Sequence, residues 1–258
     1  AGQCEIDIKY DYMTNSADGA QSYKYVVRNI AQKFGKVATM MPKPISMDSG
    51  SGMHTNVSLW KNDKNTFFDE NENLELSQTG RYFCGGIMSH AKALTAITNP
   101  TTNSYHRLVP GYEAPVYIAW SSSNRSATIR IPAHFKGEKY AFMKRIEYRV
   151  PDPASNPYLV FSAVLAAGLD GIKKKLEPGD PVQEDIYKMS RAERKKRGID
   201  TLPANLGRAL DELESDRKFL SPIFSTPVLD KIIDLERRDQ REISIRPHPH
   251  EFYLYFDV

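Results

Sequence analysis

The sequence is poor in cysteine and has neither a long hydrophobic run nor an excess of charge of one sign. Cys4 and Cys84 are the only cysteines in 258 residues, which excludes a disulfide framework and argues against a zinc–thiolate site. The 35 basic and 32 acidic side chains leave a net charge of +3, too even to predict binding to nucleic acid or to a membrane surface. The apolar runs fall short of the roughly 20 residues that span a bilayer. We expect a cytoplasmic protein without a signal peptide.

The length and ordinary apolar content are enough for a substantial core. The chain opens with Ala1-Gly2-Gln3-Cys4-Glu5, without Met, and enters an alternating pattern at once. We therefore expect a processed or truncated part of a longer polypeptide.

Hydrophobic periodicity predicts a mixture of helices and strands without internal repeats. Strands are predicted over 4–10, 36–41, 53–60, 115–120, 127–131, 145–149 and 250–256, and a hairpin extension over 136–144. Helices are predicted over 18–34, 79–98, 156–174, 205–217 and 226–240, with a short basic helix inside the loop 178–203. Asp18 is the predicted N-cap of the first helix.

The strand predicted over 145–149 has the most informative pattern. Its period of two places Arg145, Glu147 and Arg149 on one face. Two guanidinium groups favour a bound anion, and the carboxylate between them is expected to stay ionised and free to hold a cation.

Other charged residues extend this pattern. Five arginines fall within 43 residues, outside the predicted helices: Arg107, Arg125, Arg130, Arg145 and Arg149. Spacing alone would favour surface charge, but their apolar strand and turn neighbours favour an enclosed anion pocket. Glu5, Glu113 and Glu147, together with His54, make a Mg²⁺ or Mn²⁺ site plausible, because hard cations prefer oxygen ligands.

The glycine-rich loop 48–52 lacks the spacing of a Walker A motif, so by itself it is more consistent with an ordinary turn. Tyr187 could be a modification site, although an exposed tyrosine usually is not.

Four motifs in chain order resemble one family. They are Gly50-Ser51-Gly52-Met53-His54, the segment 99–115, Asn124-Arg125-Ser126 with Arg130-Ile131-Pro132, and Arg145-Ile146-Glu147-Tyr148-Arg149. Together they are similar to prokaryotic-type (class I) glutamine synthetase over nearly the whole chain. The resemblance implies an α+β fold, with a curved, mostly antiparallel sheet and helices outside. It also implies that 1–258 is the C-terminal part of the catalytic domain, without the N-terminal β-grasp domain and the first catalytic strands.

The resemblance implies an ATP-dependent ligase that joins ammonia to L-glutamate through a γ-glutamyl phosphate. Glu5 would hold the first of two Mg²⁺ or Mn²⁺ ions, and His54 and Glu147 would hold the second. Glutamate would be bound by Gly50, Arg107 and Arg149.

The resemblance also implies a nucleotide site and a closing flap. The residues implied at the ATP site are Asn56, Ser58, Arg125, Arg130 and Arg145. Arg125 would also lie near the transferred phosphoryl group. Glu113 would sit on a flap formed by 107–115, contact substrate and complete the ammonium site. A flap of this kind keeps water from an acyl phosphate.

The sequence departs from the family pattern in several places. The family carries further glutamate ligands upstream of the opening segment, so we expect little or no synthetase activity from the isolated chain. Ser49 replaces the usual bacterial Asn, which puts one glutamate contact in doubt, and Asn56 replaces a usual His. The segment around Tyr187 differs from the adenylylated segment of some bacterial enzymes. The family also forms stacked rings (a dodecamer), and an apolar strand over 250–256 would suit docking between rings.

Two alternatives remain open. One is a ligase of the same superfamily that joins glutamate to a larger amine, and the other is a non-catalytic structural or interaction protein with the same fold.

Overall fold

The computed structural model describes residues 2–111, 114–132 and 135–256. Its seven strands are β1 (Thr55–Val57), β2 (Trp60–Lys61), β3 (Lys64–Asn65), β4 (Tyr117–Ser121), β5 (Ala127–Arg130), β6 (Ile146–Tyr148) and β7 (Asp200–Thr201). Five form a sheet in the order β1-β6-β5-β4-β7, and β2 and β3 form a separate hairpin. Every pair in the larger sheet is antiparallel except β4–β5. The predicted α+β class with a mostly antiparallel sheet is confirmed.

The described residues contain nine α-helices around the sheet. They are α1 (Met13–Lys33), α2 (Gln78–Ser89), α3 (Ala91–Thr98), α4 (Ser104–Arg107), α5 (Pro157–Lys174), α6 (Arg191–Lys196), α7 (Leu206–Ser215), α8 (Thr226–Ser244) and α9 (Pro249–Tyr255). Short 3-10 helices cover Asn73–Glu75, Glu138–Met143, Ile186–Lys188 and Lys218–Leu220. Among the residues described, we find no helix with the length and apolar character needed to cross a membrane.

The core lies between the sheet and the α2–α5 helix pair. These helices approach so closely that their backbones touch. A Cβ atom on Gly86 would lie 2.1 Å from the Ala167 carbonyl oxygen, and one on Gly171 would lie 2.2 Å from that of Tyr82. Glycine is therefore required at both positions by the crossing itself rather than by backbone conformation.

Local sequence signals explain why α5 closely matches the helix predicted over 156–174. Asn156 caps the first turn of α5 by accepting a hydrogen bond from the Tyr158 amide, and Pro157 occupies the first helical position. The left-handed Lys175 ends the helix.

The predicted strands over 4–10 and 36–41 are wrong. Both segments are irregular in the structure, and Ile6 and Ile8 are exposed. Alternation specifies a strand only where a neighbouring strand accepts its hydrogen bonds, and the described residues offer these segments none. The first helix also begins earlier than predicted, at Met13, so Asp18 lies inside it instead of capping it.

Three other predictions need correction. The helix over 79–98 is two helices, because the chain breaks at His90 between α2 and α3. The hairpin over 136–144 is the 3-10 helix Glu138–Met143. The final strand over 250–256 is α9, where Pro249 stands at the first helical position and His248 caps it. A short run that is apolar on both faces does not distinguish strand from helix.

His90 ties four parts of the fold together at the break between α2 and α3. Its Nδ1 lies 2.6 Å from the Asp216 carboxylate, its Nε2 lies 2.9 Å from that of Asp170, and its ring stacks on Phe219. Burial alone would lower the pKa of His90, but the hydrogen bonds and charges of the two aspartates outweigh it and raise the pKa above its usual value of 6.5. The imidazole is therefore held in its charged form, donating from both nitrogens.

The α2–α5 contact predicts opposite effects for two Gly→Ala substitutions. Gly86→Ala should lower the free energy of unfolding by about 3 kcal/mol, because the new methyl group meets backbone atoms that cannot rotate away. Gly19→Ala is the matched control, because a Cβ atom added there, inside α1, would have no described atom within 4 Å. It should stabilise the protein by up to about 1 kcal/mol through helix propensity. Urea unfolding followed by circular dichroism measures both, and equal effects would contradict the backbone contact.

The His90 cluster predicts that stability depends on pH. Because the folded pKa is raised, this contribution is fully present below the unfolded pKa of about 6.5 and is lost as pH rises through the folded value. The unfolding temperature of the parent should therefore decline as pH rises above about 6.5, and His90→Gln should lack this decline. Parallel pH profiles for the two proteins would refute the charged-histidine assignment.

Candidate functional site

The charged residues of β6 lie on one face of the central sheet, as predicted. Ile146 and Tyr148 are fully buried on the opposite face, and Glu147 and Arg149 are only 4% and 6% exposed. Pairing with the neighbouring strands places Glu147 opposite Asn56 of β1 and opposite Arg130 of β5. Glu147 is thus the centre of a row of polar side chains that crosses three strands.

Both oxygens of the Glu147 carboxylate are engaged. Oε2 lies 2.6 Å from a terminal nitrogen of Arg130, and Oε1 lies 2.7 Å from one of Arg149. Oε1 is also 3.4 Å from Nδ1 of His54. The prediction of a free carboxylate is therefore wrong for this structure, because the flanking arginines neutralise it themselves.

His54 is neutral in this environment. Its side chain is 35% exposed, yet desolvation of the ring and the charges of Arg149, Arg107 and Arg130 lower its pKa to about 3. A neutral imidazole keeps a nitrogen lone pair that can bind a cation.

Arg107 links β6 to the glycine-rich loop. It is buried, and it donates to the carbonyl oxygens of Val150 at 2.7 Å and Arg149 at 3.0 Å. A Cβ on Gly50 would lie 2.8 Å from its Cγ, and one on Gly52 would lie 2.6 Å from its Nη2. The loop therefore needs glycine at both positions to let the arginine pass. Burial lowers the pKa of Arg107 to about 10, so it stays positive at neutral pH.

Two buried guanidinium nitrogens of this cluster have no partner among the described residues. Nε of Arg130 and Nε of Arg149 are inaccessible to solvent and make no hydrogen bond there. Native proteins rarely leave buried donors unpaired without a functional reason. Together with Arg107, these arginines outnumber Glu147, so this region favours an anionic ligand that accepts from them.

The predicted nucleotide residues are spread over several elements: Asn56 lies on β1, Arg130 on β5, and Ser58 and Arg145 beside the ends of β1 and β6. Arg145 donates from Nε to Oδ1 of Asn56 at 3.0 Å, and Ser58 accepts from the indole of Trp60 at 2.9 Å. Arg125 is exposed in the loop between β4 and β5, and its charge still acts on Arg149. Glu113 lies outside the described residues.

The donors for a metal ion are incomplete. His54 and Glu147 are close enough to share a cation, and the carboxylate is the type of ligand that Mg²⁺ and Mn²⁺ prefer. These two residues therefore fit one side of such a site. Glu5, however, lies on the exposed opening segment. The part of the chain that the structure describes contains no group of three or more His, Cys, Asp or Glu side chains that could hold a metal.

Two buried residues behind the site were not predicted from the sequence. Asn99 donates to the Val150 carbonyl and to Asp152, both at 2.9 Å, and neither side chain is exposed. Asn99 belongs to the segment 99–115 that resembles the family, but no contact was predicted for it. No role was predicted for Asp152, which follows the strand predicted over 145–149. A polar residue that follows the apolar stripe of a helix, with its partner 53 positions away, gives no local signal.

The charge arrangement predicts that Glu147→Gln is strongly destabilising. Removing one partner of a buried ion pair leaves the arginines uncompensated, at a cost of about 3 kcal/mol. Glu184→Gln is the control, because Glu184 and Arg197 form a pair at 2.9 Å with both side chains about half exposed. That change should leave the free energy of unfolding nearly unchanged, because solvent screens an exposed ion pair. Chemical denaturation at neutral pH tests both, and similar losses would argue against a buried charge cluster.

Comparisons with known proteins identify the family of the chain. The family model described as "Glutamine synthetase, catalytic domain" matches residues 1–255. Glutamine synthetase of Sulfolobus acidocaldarius is 56% identical over 259 residues, which cover 100% of this chain and 54% of the relative. That of Streptomyces coelicolor is 49% identical, covering 100% of this chain and 55% of the relative. The chain therefore spans about half the length of the curated relatives it matches.

Solved structures give the same result. A cryo-EM structure of Plasmodium falciparum glutamine synthetase superposes with a TM-score of 0.84 at 32% identity, covering 96% of this chain and 55% of that one. A GmaS–ADP complex superposes with a TM-score of 0.85 at 33% identity, covering 97% of this chain and 56% of that one. The resemblance noted in the sequence is confirmed, and the chain belongs to the glutamine synthetase catalytic-domain family.

Proposed function

We propose that this chain supplies part of the active site of an ATP-dependent glutamate–ammonia ligase. The observation that carries the proposal is the arginine cluster around Glu147, with buried Nε donors on Arg130 and Arg149 that lack a partner among the described residues. Phosphoryl transfer depends on positioning and charge stabilisation more than on a protein nucleophile, and this cluster provides charge.

The proposed reaction has two steps. A γ-carboxylate oxygen of glutamate attacks the γ-phosphorus of ATP, and ADP leaves. Ammonia, after an ammonium ion has lost its proton, then attacks the acyl carbon of γ-glutamyl phosphate, and inorganic phosphate leaves with the C–O bond electrons. The attacking nitrogen loses a further proton to give glutamine.

Different arginines are proposed to bind different parts of the substrates. Arg130 has a buried Nε donor without a described partner, which suits the oxygens of the phosphoryl group. Arg149, predicted to bind glutamate, has a similar Nε donor that suits the oxygens of that substrate. Arg107, held beside the Gly50 loop, suits the carboxylate of the amino acid. Arg125 remains a prediction as a further contact to the phosphoryl group.

The nucleotide would lie along Asn56, Ser58 and Arg145, at the edge of the sheet formed by β1. The GmaS structure holds ADP, which supports nucleotide binding by this fold. His54 and Glu147 would hold one Mg²⁺ or Mn²⁺ ion, which neutralises phosphate charge when bound. Binding it at Glu147 requires at least one arginine to move from the carboxylate to the incoming anion.

Other parts of the proposal rest on the family alone. Glu5 is proposed as a ligand of a second metal ion. Glu113 is proposed to close over the ammonium site on a flap that excludes water. The whole chain, 1–258, is proposed as the C-terminal part of one catalytic domain in a cytoplasmic enzyme.

Assembly into a ring-type homo-oligomer is also proposed, with a dodecamer as the family form. The C-terminal helix α9 supports it, because Phe252, Leu254 and Phe256 are all more than half exposed. Exposed aromatic and aliphatic side chains grouped on one short helix suit contact with another subunit. The isolated chain is expected to have little or no ligase activity, because only His54 and Glu147 of the proposed metal ligands lie together.

A ligase for a larger amine is the nearest alternative. Identities of 56% and 49% to two glutamine synthetases support ammonia as the acceptor. Turnover of the complete gene product with ammonium and with a panel of primary amines separates the two, and turnover with amines alone would exclude the proposed reaction.

Arg130→Gln tests, on the chain itself, whether the arginine cluster around Glu147 binds phosphate. The substitution removes a charged donor from the proposed phosphate site and should weaken ATP binding about tenfold in the presence of Mn²⁺. Arg197→Gln removes the same charge from an exposed ion pair and should leave the affinity unchanged. Isothermal titration calorimetry measures both. If Arg130→Gln binds ATP as the parent does, or if the parent binds neither ATP nor glutamate, the proposed role of the cluster is wrong.

A further inference from the structure

The buried pair Asn99 and Asp152 lies directly behind Arg107. Both side chains are 0% exposed. The Asn99 amide nitrogen donates to the Val150 carbonyl oxygen and to Oδ2 of Asp152, at 2.9 Å in each case. The same Val150 oxygen accepts from Arg107 at 2.7 Å. One carbonyl group therefore joins the buried pair to the guanidinium.

The amide of Asn99 has a fixed orientation. The Thr98 hydroxyl donates to its Oδ1 at 2.7 Å, so the nitrogen must face Val150 and Asp152. Oδ1 of Asp152 accepts from the Ala154 amide at 3.0 Å, and the Asp152 amide donates to the Thr98 carbonyl. The pair is thus satisfied from every side and leaves Val150 little freedom.

Retaining a carboxylate here is costly for stability. Burial raises the pKa of Asp152, against the opposing effects of Ser104, Arg107 and Asn99. Its charge in turn opposes the lowering of the Arg107 pKa that burial causes. A buried ionised group that apolar residues could replace is often kept for specificity rather than for stability.

We propose that Asn99 and Asp152 are positioning residues which hold the Val150 carbonyl and so orient the Arg107 guanidinium to bind the carboxylate of the amino-acid substrate. This inference rests on the proposed function, in which Arg107 contacts glutamate. Asp152 holds the Asn99 amide, Asn99 holds the carbonyl, and the carbonyl holds the arginine. Neither residue is proposed to touch substrate.

A double exchange, Asn99→Asp with Asp152→Asn, separates positioning from structure. It keeps one amide and one carboxylate, their mutual hydrogen bond and the total charge. It removes the donor to the Val150 carbonyl, because a carboxylate at position 99 cannot donate. Thr98→Val is a milder second variant that keeps the volume but frees the amide to rotate. Ser155→Ala is the control, because it deletes another buried bond to Asp152, from Oγ to the Asp152 carbonyl, without touching Arg107.

The first measurement needs no ligand. In ¹⁵N NMR spectra of the chain, the Arg107 signals are assigned by their absence from Arg107→Lys. The Nη protons of a guanidinium that cannot rotate give separate signals. We expect these signals in the parent and in Ser155→Ala, but averaged signals with at least tenfold faster solvent exchange in the double exchange and partial loss in Thr98→Val. Unchanged Arg107 signals in a folded double exchange would overturn the proposal. If that variant does not fold, unchanged signals in Thr98→Val would do the same.

The second measurement compares two ligands. Calorimetry should show glutamate affinity reduced about tenfold in the double exchange, with ATP affinity within twofold of the parent. Equal weakening of both ligands would indicate a merely structural role and contradict the inference. Absence of glutamate binding by the parent would instead count against the proposed function, and the guanidinium signals would then decide the positioning role alone.

Discussion

The burial of one carboxylate between two guanidinium groups is the constraint on which the site depends. Glu147 loses its hydration on the central strand, and such a loss is tolerated only when geometry and hydrogen bonding compensate it. Arg130 and Arg149 provide this compensation at 2.6 and 2.7 Å. Because Arg130 belongs to β5 and the other two residues to β6 and its immediate end, the same ion pairs also fix the register of adjacent strands. The order of the sheet and the charge of the site are therefore specified by the same atoms.

The constraint extends from β6 into the loops. The carbonyl groups of Arg149 and Val150, just beyond the strand, accept from Arg107. Arg107 in turn passes Gly50 and Gly52, whose missing side chains make room for it. Gln3 reaches the same loop, with its amide 2.8 Å from the Gly50 carbonyl. The charged cluster on β5 and β6 is thus connected to two loops and to the opening segment through polar contacts.

Much of the fold and of the candidate site could be predicted from the sequence. The features that could not be predicted share a physical cause. The pattern Arg145 to Arg149 places its charges on one face of a strand because side-chain alternation is local, and the prediction for α5 holds because Asn156 and Pro157 are local signals. The strand predictions for 4–10 and 36–41 were wrong because a strand needs a partner strand from another part of the chain. The strand prediction for 250–256 was wrong because a run with two apolar faces fits a helix as well as a strand. The contact between Asn99 and Asp152 could not be predicted, because it exists only after folding. The ion pair of Glu147 with Arg130 depends in the same way on the pairing of β5 with β6.

The excess of positive charge connects the two kinds of ligand that the site is proposed to hold. Burial and the charges of the arginines lower the pKa of His54 to about 3, so the ring is neutral and its lone pair is available to a cation. The same arginines would repel that cation, because interaction between like charges is strong where water is scarce. An anion that accepts from Arg130 and Arg149 would remove the conflict, because it would draw the guanidinium groups away from Glu147 and free the carboxylate. We therefore expect metal and phosphate to bind this face together rather than in turn, because each makes the region electrostatically acceptable to the other.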